Sequence, residues 1–368
     1  MRPWYEITNA AEIPSPALLV YPDRIEENIR RMAAAAGGVE RLRPHVKTHK
    51  MAEVVELCLA HGIRKFKAAT IAEAEMTAAA GAVDVLLAYP VVGPTAHRLV
   101  ELVRRFPATR FRGLVDSDVG VDDLAGAAAA AGVRIDVLLD LDVGMNRTGV
   151  APGPEAARLA RRIAGGPGLS FGGLHAYDGH LSDTDHARLV RRVDAAFAPV
   201  WRLREELSAA GIPVPLVVAS GTPTTPILAA RGDVEVGAGT TVLWDCGQPT
   251  ASPDLDFLNA AVLLSRVVSR PTPDRLCIDL GHKSVASEMP HPRVRIFGLE
   301  DATFGRHNEE HLVVETPRAA DHPVGTVLYA LPWHICPTVA LHEEVVVVRD
   351  GRAVDRWRVA SRTRRITV

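Results

Sequence analysis

Cysteine is scarce in this chain: four residues in 368 (Cys58, Cys246, Cys277 and Cys336), far apart and with no C-x-x-C pair. That pattern excludes a disulfide-built scaffold and fits a reducing compartment. Charge of one sign is also lacking. The formal net charge is -2 with histidine neutral, so there is no global basic field to hold nucleic acid or an anionic membrane. No uncharged apolar run approaches the ~20 residues that span a bilayer. The opening residues, Met1-Arg-Pro-Trp-Tyr-Glu-Ile7, lack the apolar core of a signal peptide. The expectation is a soluble, cytoplasmic protein with no nucleic-acid or membrane partner. At 368 residues, two domains fit better than one core.

What is present is a strand–helix alternation over the first two-thirds. Strand candidates lie at 42–47, 64–70, 84–90, 111–116, 135–142, 170–177, 216–220 and 234–239, several of them rich in Val, Leu and Ile, as parallel strands buried on both faces are. Helical stretches separate most of them; the first begins at Asp23, a candidate cap, and runs to Ala36. About eight such units predict a (β/α)8 TIM-type barrel over residues 22–240, with a doubly wound open sheet as the alternative. From residue 241 short β-rich runs dominate, punctuated by Pro, Gly and Asp. They predict a mostly antiparallel β domain built from 241–368, which the segment 1–21, with the run Pro16–Tyr21, would join.

In barrels of this type chemistry gathers at the C-terminal ends of the strands. Those ends carry Lys47, Thr70, Tyr89, Asp116, Asp142, Arg147 in the loop Gly144-Met-Asn-Arg-Thr-Gly149, and Tyr177-Asp-Gly-His180. Desolvation at such a position disfavours the ammonium form of a lysine, and a neutral amine forms Schiff bases with aldehydes. The alternative for Lys47 is a lysine that carries its charge out to the rim. Ser220-Gly221-Thr222 and Gly239-Thr240 follow the last two strands, where exposed N–H groups and hydroxyls make a phosphate site in this fold. Two ordinary glycine turns are the plainer reading.

Near the end lies Leu331-Pro-Trp-His334-Ile-Cys336-Pro-Thr338. In an extended segment residues i and i+2 share a face, so His334 and Cys336 could bind one metal and leave positions open for water or substrate. Thiolate with imidazole favours zinc. A buried thiol beside a hydrogen-bonded histidine is the alternative. His97, His186, His291, His307, His311 and His322 sit in polar stretches and are expected at the surface.

Arg43-Pro-His-Val-Lys47-Thr-His-Lys50, Gly144–Gly149, Gly173-Leu-His-Ala-Tyr177-Asp-Gly-His180, Ser220-Gly-Thr-Pro223 and His334-Ile-Cys336 resemble, in order and rough spacing, the motifs of the D-threonine aldolase and D-serine dehydratase family. That family is alanine-racemase-like, of fold type III: a barrel that binds pyridoxal 5'-phosphate, followed by a β domain. The resemblance implies that Lys47 is the Schiff-base lysine and that Arg147 and Tyr177 meet the ring. It implies that Ser220, Gly221, Thr222, Gly239 and Thr240 hold the phosphate, and that His180 faces the substrate hydroxyl. His334 and Cys336 would ligate a divalent metal, Mn²⁺ or Zn²⁺, with Mg²⁺ a further option. A homodimer is likewise implied.

The implied activity is cleavage of small-molecule D-3-hydroxy amino acids, such as D-threonine, to glycine and an aldehyde. Catalysis would rest on Lys47, His180 and Arg147. Dehydration of D-serine or D-3-hydroxyaspartate to a keto acid and ammonia uses the same residues and is the alternative; which bond at Cα stands perpendicular to the ring decides between them. A non-catalytic pyridoxal phosphate carrier is the rival from another class, and it needs neither a second domain nor His334 and Cys336. A two-base racemase would need a late tyrosine, of which Tyr329 is the only one.

Overall fold

A computed structural model describes residues 2–368. The first strand, β1 (Ala17–Val20), is followed by the helix Pro22–Ala36. This helix begins with Pro22 at its first position, where a missing N–H costs nothing, so Asp23 lies in the first turn instead of capping it. The chain folds as two compact units.

One unit holds Arg30–Lys47, Ala52–Gly239 and Thr363–Val368. Its sheet has seven parallel strands in sequence order: β2 (Lys65–Ala68), β3 (Asp84–Pro90), β4 (Arg110–Val115), β5 (Ile135–Leu141), β6 (Leu169–Ala176), β7 (Val217–Ala219) and β8 (Glu235–Val236). The first of the eight expected strands, 42–47, forms only isolated parallel bridges, Leu42 to Val236 and His45 to Lys67. Pro44 supplies no N–H for a regular ladder. The segment still closes the ring: Arg43 N–H donates to Val236 O and Val46 N–H to Lys67 O, both at 2.9 Å. Leu86, Leu114, Leu138 and Val218 fill the interior. Helices connect the strands, and the helix Ile71–Ala79 shows how they start. Thr70 Oγ1 accepts the Glu73 N–H at 3.1 Å, and Glu73 Oε2 accepts the Ala69 N–H at 2.6 Å, a reciprocal capping arrangement.

The other unit holds residues 2–29, Thr48–Met51 and Thr240–Arg362. Its strands are β9 (Ala261–Thr272), β10 (Arg275–Ile278), β11 (Val294–Ile296), β12 (Thr303–His307), β13 (Leu312–Glu315), β14 (Val327–Pro332), β15 (Glu344–Arg349) and β16 (Arg352–Arg358). The order is β12-β13-β10-β9-β1-β15-β16, with β14 pairing with β9 and β11. Only β1 with β15 is a parallel pair; β1 is antiparallel to β9. Leu19, Val262, Leu264, Leu331 and Val346 form the core of this sheet. Among the described residues no helix is long and apolar enough to cross a membrane.

Candidate active site

The strand ends of the barrel unit surround a cavity of about 360 Å³ lined by His45, Lys47, Lys67, Arg147, His175 and Tyr177, among others. Three cationic side chains surround the Tyr177 ring: Lys47 Nζ at 5.6 Å, Lys67 Nζ at 5.7 Å and Arg147 Cζ at 5.0 Å from its centroid. Lys47 is half-buried, and its backbone N–H meets His45 Nδ1 at 3.4 Å. The loop that presents Arg147 is built on Asp142, whose Oδ1 accepts the N–H groups of Gly144 at 2.9 Å and Asn146 at 3.1 Å. Gly149 ends that loop at φ +95, where a Cβ would lie 2.6 Å from Asp142 N; only glycine fits.

Beneath these lies a charge network that the sequence reading did not single out. His175 Nδ1 is 2.7 Å from Asp140 Oδ1, and Thr148 Oγ1 donates to Asp140 Oδ2 at 2.9 Å. Burial and the Lys67 charge push His175 down, against its bond to Asp140. The imidazole is therefore neutral, with Nδ1–H donating to the carboxylate. Its Nε2 is buried without a partner, an acceptor on a cavity-lining residue. Lys67 is 2% exposed. Burial and the neighbouring Lys47, against Asp140 and Asp178, lower it to about 7.

The turn after β7 is strained at Ser220, φ +78. Ser220 Oγ accepts the Gly237 N–H at 3.2 Å and lies 3.1 Å from Thr225 Oγ1, which itself donates to Gly221 O. The Gly221 N–H donates to Asp178 Oδ1 at 2.5 Å. Ser220 and Gly221 thus shape the turn itself. The N–H groups of Thr222 and Gly239 make no hydrogen bond among the described residues; Ser220, Gly221, Thr222, Gly239 and Thr240 are not among the cavity's lining residues. His180 lies against the loop glycine Gly144, where a Cβ would come within 3.1 Å of His180 Nε2, and its Nδ1 is buried without a partner. It is not among the cavity's lining residues.

In the β unit, His334 and Cys336 come together, though not through an extended segment. Ile335–Leu341 is an α-helix with His334 at its N-cap. Pro337 suits a first helical turn, and Asp245 Oδ2 accepts the Ile335 N–H at 2.9 Å. The His334 ring and the Cys336 thiol interact electrostatically, and His334 Nδ1 lies 2.5 Å from Glu288 Oε1. Cys336 Sγ is also 3.2 Å from the hydroxyl of Thr48, the residue after Lys47, and 3.5 Å from that of Thr240. Burial pushes the Cys336 thiol up, but His334, Thr48 and Thr240 outweigh it and the net shift is downward. Cys336, against burial, and the bond to Glu288 raise His334 to about 9. The donor set suits a soft divalent cation: a thiol inclined to ionise, and an imidazole oriented by a carboxylate. Among the described residues no group of three or more His, Cys, Asp or Glu side chains is arranged to hold a metal.

His307 departs from the surface reading. It is half-buried, 3.0 Å from Arg293 NH1 and 3.2 Å from Leu280 O, and burial with Arg293 lowers it to about 4. Tyr329 is buried in the β unit with its hydroxyl 3.3 Å from the Ile7 N–H, engaged in packing. Lys67, His175, Glu288 and Asp245 escaped the sequence reading. Lys67 alone had a signal, since Lys65 and Lys67 share a strand face.

The family model described as "Alanine racemase, N-terminal domain" matches residues 20–242, and the one described as "Putative serine dehydratase domain" matches 260–348. The chain is 33% identical to a D-threonine aldolase of Arthrobacter sp., covering 96% of this chain and 93% of that one. It is 28% identical to the D-threo-3-hydroxyaspartate dehydratase of Delftia sp. (strain HT23), covering 94% and 97%. The crystal structure of a D-threonine aldolase from Filomicrobium marinum superposes with a TM-score of 0.90 at 28% identity, over 97% of this chain and 98% of that one. The Delftia dehydratase has been solved as a cysteine-to-alanine mutant in the metal-free form and as a histidine-to-alanine mutant, the two positions two apart in its chain.

Proposed function

The chain belongs to the family of the alanine racemase N-terminal domain, and from that premise we propose that it is a pyridoxal-phosphate- and divalent-metal-dependent D-threonine aldolase, cleaving D-3-hydroxy amino acids to glycine and an aldehyde. The observation that carries this reading is the cavity that holds Lys47, Arg147 and Tyr177 together at the strand ends. Pyridoxal phosphate, when bound, supplies the electron sink for a bond broken at Cα, and a divalent cation acidifies a hydroxyl it binds. The residues fit both groups. His175 Nε2 is an unpaired acceptor, the Thr222 and Gly239 N–H groups are uncommitted, and the thiol–imidazole pair is poised to ligate.

Lys47 would hold pyridoxal phosphate through its amine. Tyr177 supplies a flat face for the ring, and Arg147 a charge at its edge. Thr222, Gly239 and Thr240 would hold the phosphate, and Ser220 and Gly221 shape the turn that carries Thr222. His334 and Cys336 would hold the cation, for which we propose Mn²⁺ or Zn²⁺. His180 takes the proton of the substrate 3-hydroxyl, so that the Cα–Cβ bond breaks as the aldehyde forms. A proton then returns to Cα, giving glycine. A homodimer and a cytoplasmic location belong to the same proposal.

Dehydration to a keto acid and ammonia is the second reading. It is favoured by the His-x-Cys spacing shared with the mutated positions of the Delftia dehydratase. Product analysis tests both. The protein, supplied with pyridoxal phosphate and Mn²⁺ or Zn²⁺, is incubated with D-threonine and with D-3-hydroxyaspartate. Glycine and an aldehyde are expected; a keto acid with ammonia transfers the assignment to the dehydratase, and no product from either substrate removes both.

A further inference from the structure

Lys67 has no part in the reaction as derived above, yet its placement is costly. Its side chain is buried, and no hydrogen bond or ion pair reaches Nζ among the described residues; its one close polar relation is the face of Tyr177. A buried lysine without a partner is destabilising unless something compensates its charge. The titratable groups facing it are Lys47, Arg43, His175, Asp140 and Asp178. Both carboxylates are already engaged: Asp140 by His175 and Thr148, Asp178 by the Gly221 N–H and by Thr224. The cavity therefore holds three cationic side chains and no free anion to match them.

The direction of Lys67 narrows what would match it. The side chain leaves β2 and runs along Gly237, just past β8, where a Cβ would stand 2.8 Å from Lys67 Cδ and 2.9 Å from Nζ. Gly237 in turn donates its N–H to Ser220 Oγ, in the turn that carries Thr222. Glycine at 237 thus makes room for a lysine reaching across the ring toward the anion-binding turn.

We propose that Lys67 is the anion anchor of this cavity: its ammonium donates to an anionic oxygen of the bound molecule, in first place the phosphate of pyridoxal phosphate. The inference rests on the cofactor reading above and adds a residue to it. Lys67 acts as a positioning residue, because it fixes where the cofactor sits and leaves the reacting atoms to other groups.

The test is a set of dissociation constants on the full-length protein. Pyridoxal phosphate and pyridoxal are titrated into protein freed of cofactor, and D-alanine, which lacks the 3-hydroxyl, into the loaded protein. Lys67→Met is expected to weaken pyridoxal phosphate about ten- to a hundredfold, the value of a charge-assisted hydrogen bond. Pyridoxal should be unchanged, and Lys67→Arg should recover most of the loss. Equal weakening of pyridoxal phosphate and pyridoxal identifies the ring oxygen as the partner. Weakening of D-alanine alone identifies the substrate carboxylate. Either supports the anchor. All three constants unchanged in a folded Lys67→Met protein overturns it.

Methionine removes a desolvated amine, so the melting temperature should not fall. Should that variant fail to fold, Gly237→Ala displaces Nζ and must give the same loss; unchanged binding there overturns the proposal instead. A wild-type protein that takes up pyridoxal phosphate while the variants match it sinks only this inference. A wild-type protein that never takes it up sinks the cofactor reading as well.

Discussion

A thiol beside an imidazole that a carboxylate already holds makes a stronger ligand pair than either residue alone. The Glu288–His334–Cys336 chain has this form, with Nδ1 of His334 2.5 Å from Glu288. Carboxylates in that position typically contribute ten- to a hundredfold to metal affinity. Glu288→Gln should therefore weaken Mn²⁺ or Zn²⁺ by ~10–100-fold, measured by competition with a chelating dye. His334→Ala should abolish metal binding and turnover while pyridoxal phosphate uptake persists. Metal content per chain checks the first half and visible absorbance the second. Lys47 yields a covalent prediction. After pyridoxal phosphate is added and the protein reduced with borohydride, the label should map to the peptide containing Lys47, and Lys47→Ala should carry none there. Lys47 was legible in the sequence because it ends an apolar run inside a dense motif. Lys67, three residues before the end of its own run, looks like half of an ordinary Lys-x-Lys edge. Only the closure of the barrel turns it inward.

The strands carry a second set of charges at their opposite ends, where a barrel keeps its stability determinants and not its chemistry. Arg43 is fully buried and binds Asp84 Oδ1 at 2.5 Å and Glu235 Oε2 at 2.6 Å. Arg112 binds Asp84 Oδ2 at 2.9 Å and Asp136 Oδ2 at 3.3 Å. These pairs link the segment before Lys47 to β8 and β3, and β4 to β3 and β5. Removing one member strands the others in a low dielectric, so Asp84→Ala should cost about 3–5 kcal/mol, read from the urea midpoint. Burial raises the Asp84 carboxyl, but Arg43 and Arg112 outweigh it and the net shift is downward. A depressed carboxyl contributes stability above the ordinary carboxylate range and loses it as pH falls through the folded value. Stability of the wild type should thus fall below about pH 4, and Asp84→Asn should show a shallower fall there. A slope equal to the wild type's would remove Asp84 from the acid response. At this scale most of the barrel strands were legible from apolar runs. The helix Ile335–Leu341 was not, because what starts it is the Asp245 carboxylate, far upstream in the chain. The short strands β11 and β12 lack any period long enough to register.

Across the whole chain, the ends are held by long-range pairing whose partners no local pattern announces. β1 lies between β9 and β15, with Leu18, Leu19 and Val20 at most 1% exposed. A chain beginning at Pro22 should lose the β unit's cooperative unfolding and its metal binding together. The other end is held more lightly. Glu75, 3% exposed, accepts the N–H groups of Thr367 at 3.1 Å and Val368 at 3.3 Å, as well as the Thr367 hydroxyl. Arg98 Nε donates to Val368 O at 3.1 Å. A chain ending at Arg362 keeps every strand but leaves the Glu75 carboxylate buried without these donors. Stranding a buried acceptor costs about 1–3 kcal/mol, more when it is charged, so the truncated protein should melt several degrees lower. The cost belongs to the stranded carboxylate more than to the lost contacts. Truncation combined with Glu75→Gln should therefore cost less than the two changes summed, because they share a partner. Additive losses in the thermal midpoints of the four proteins would show that the tail stabilises by packing alone.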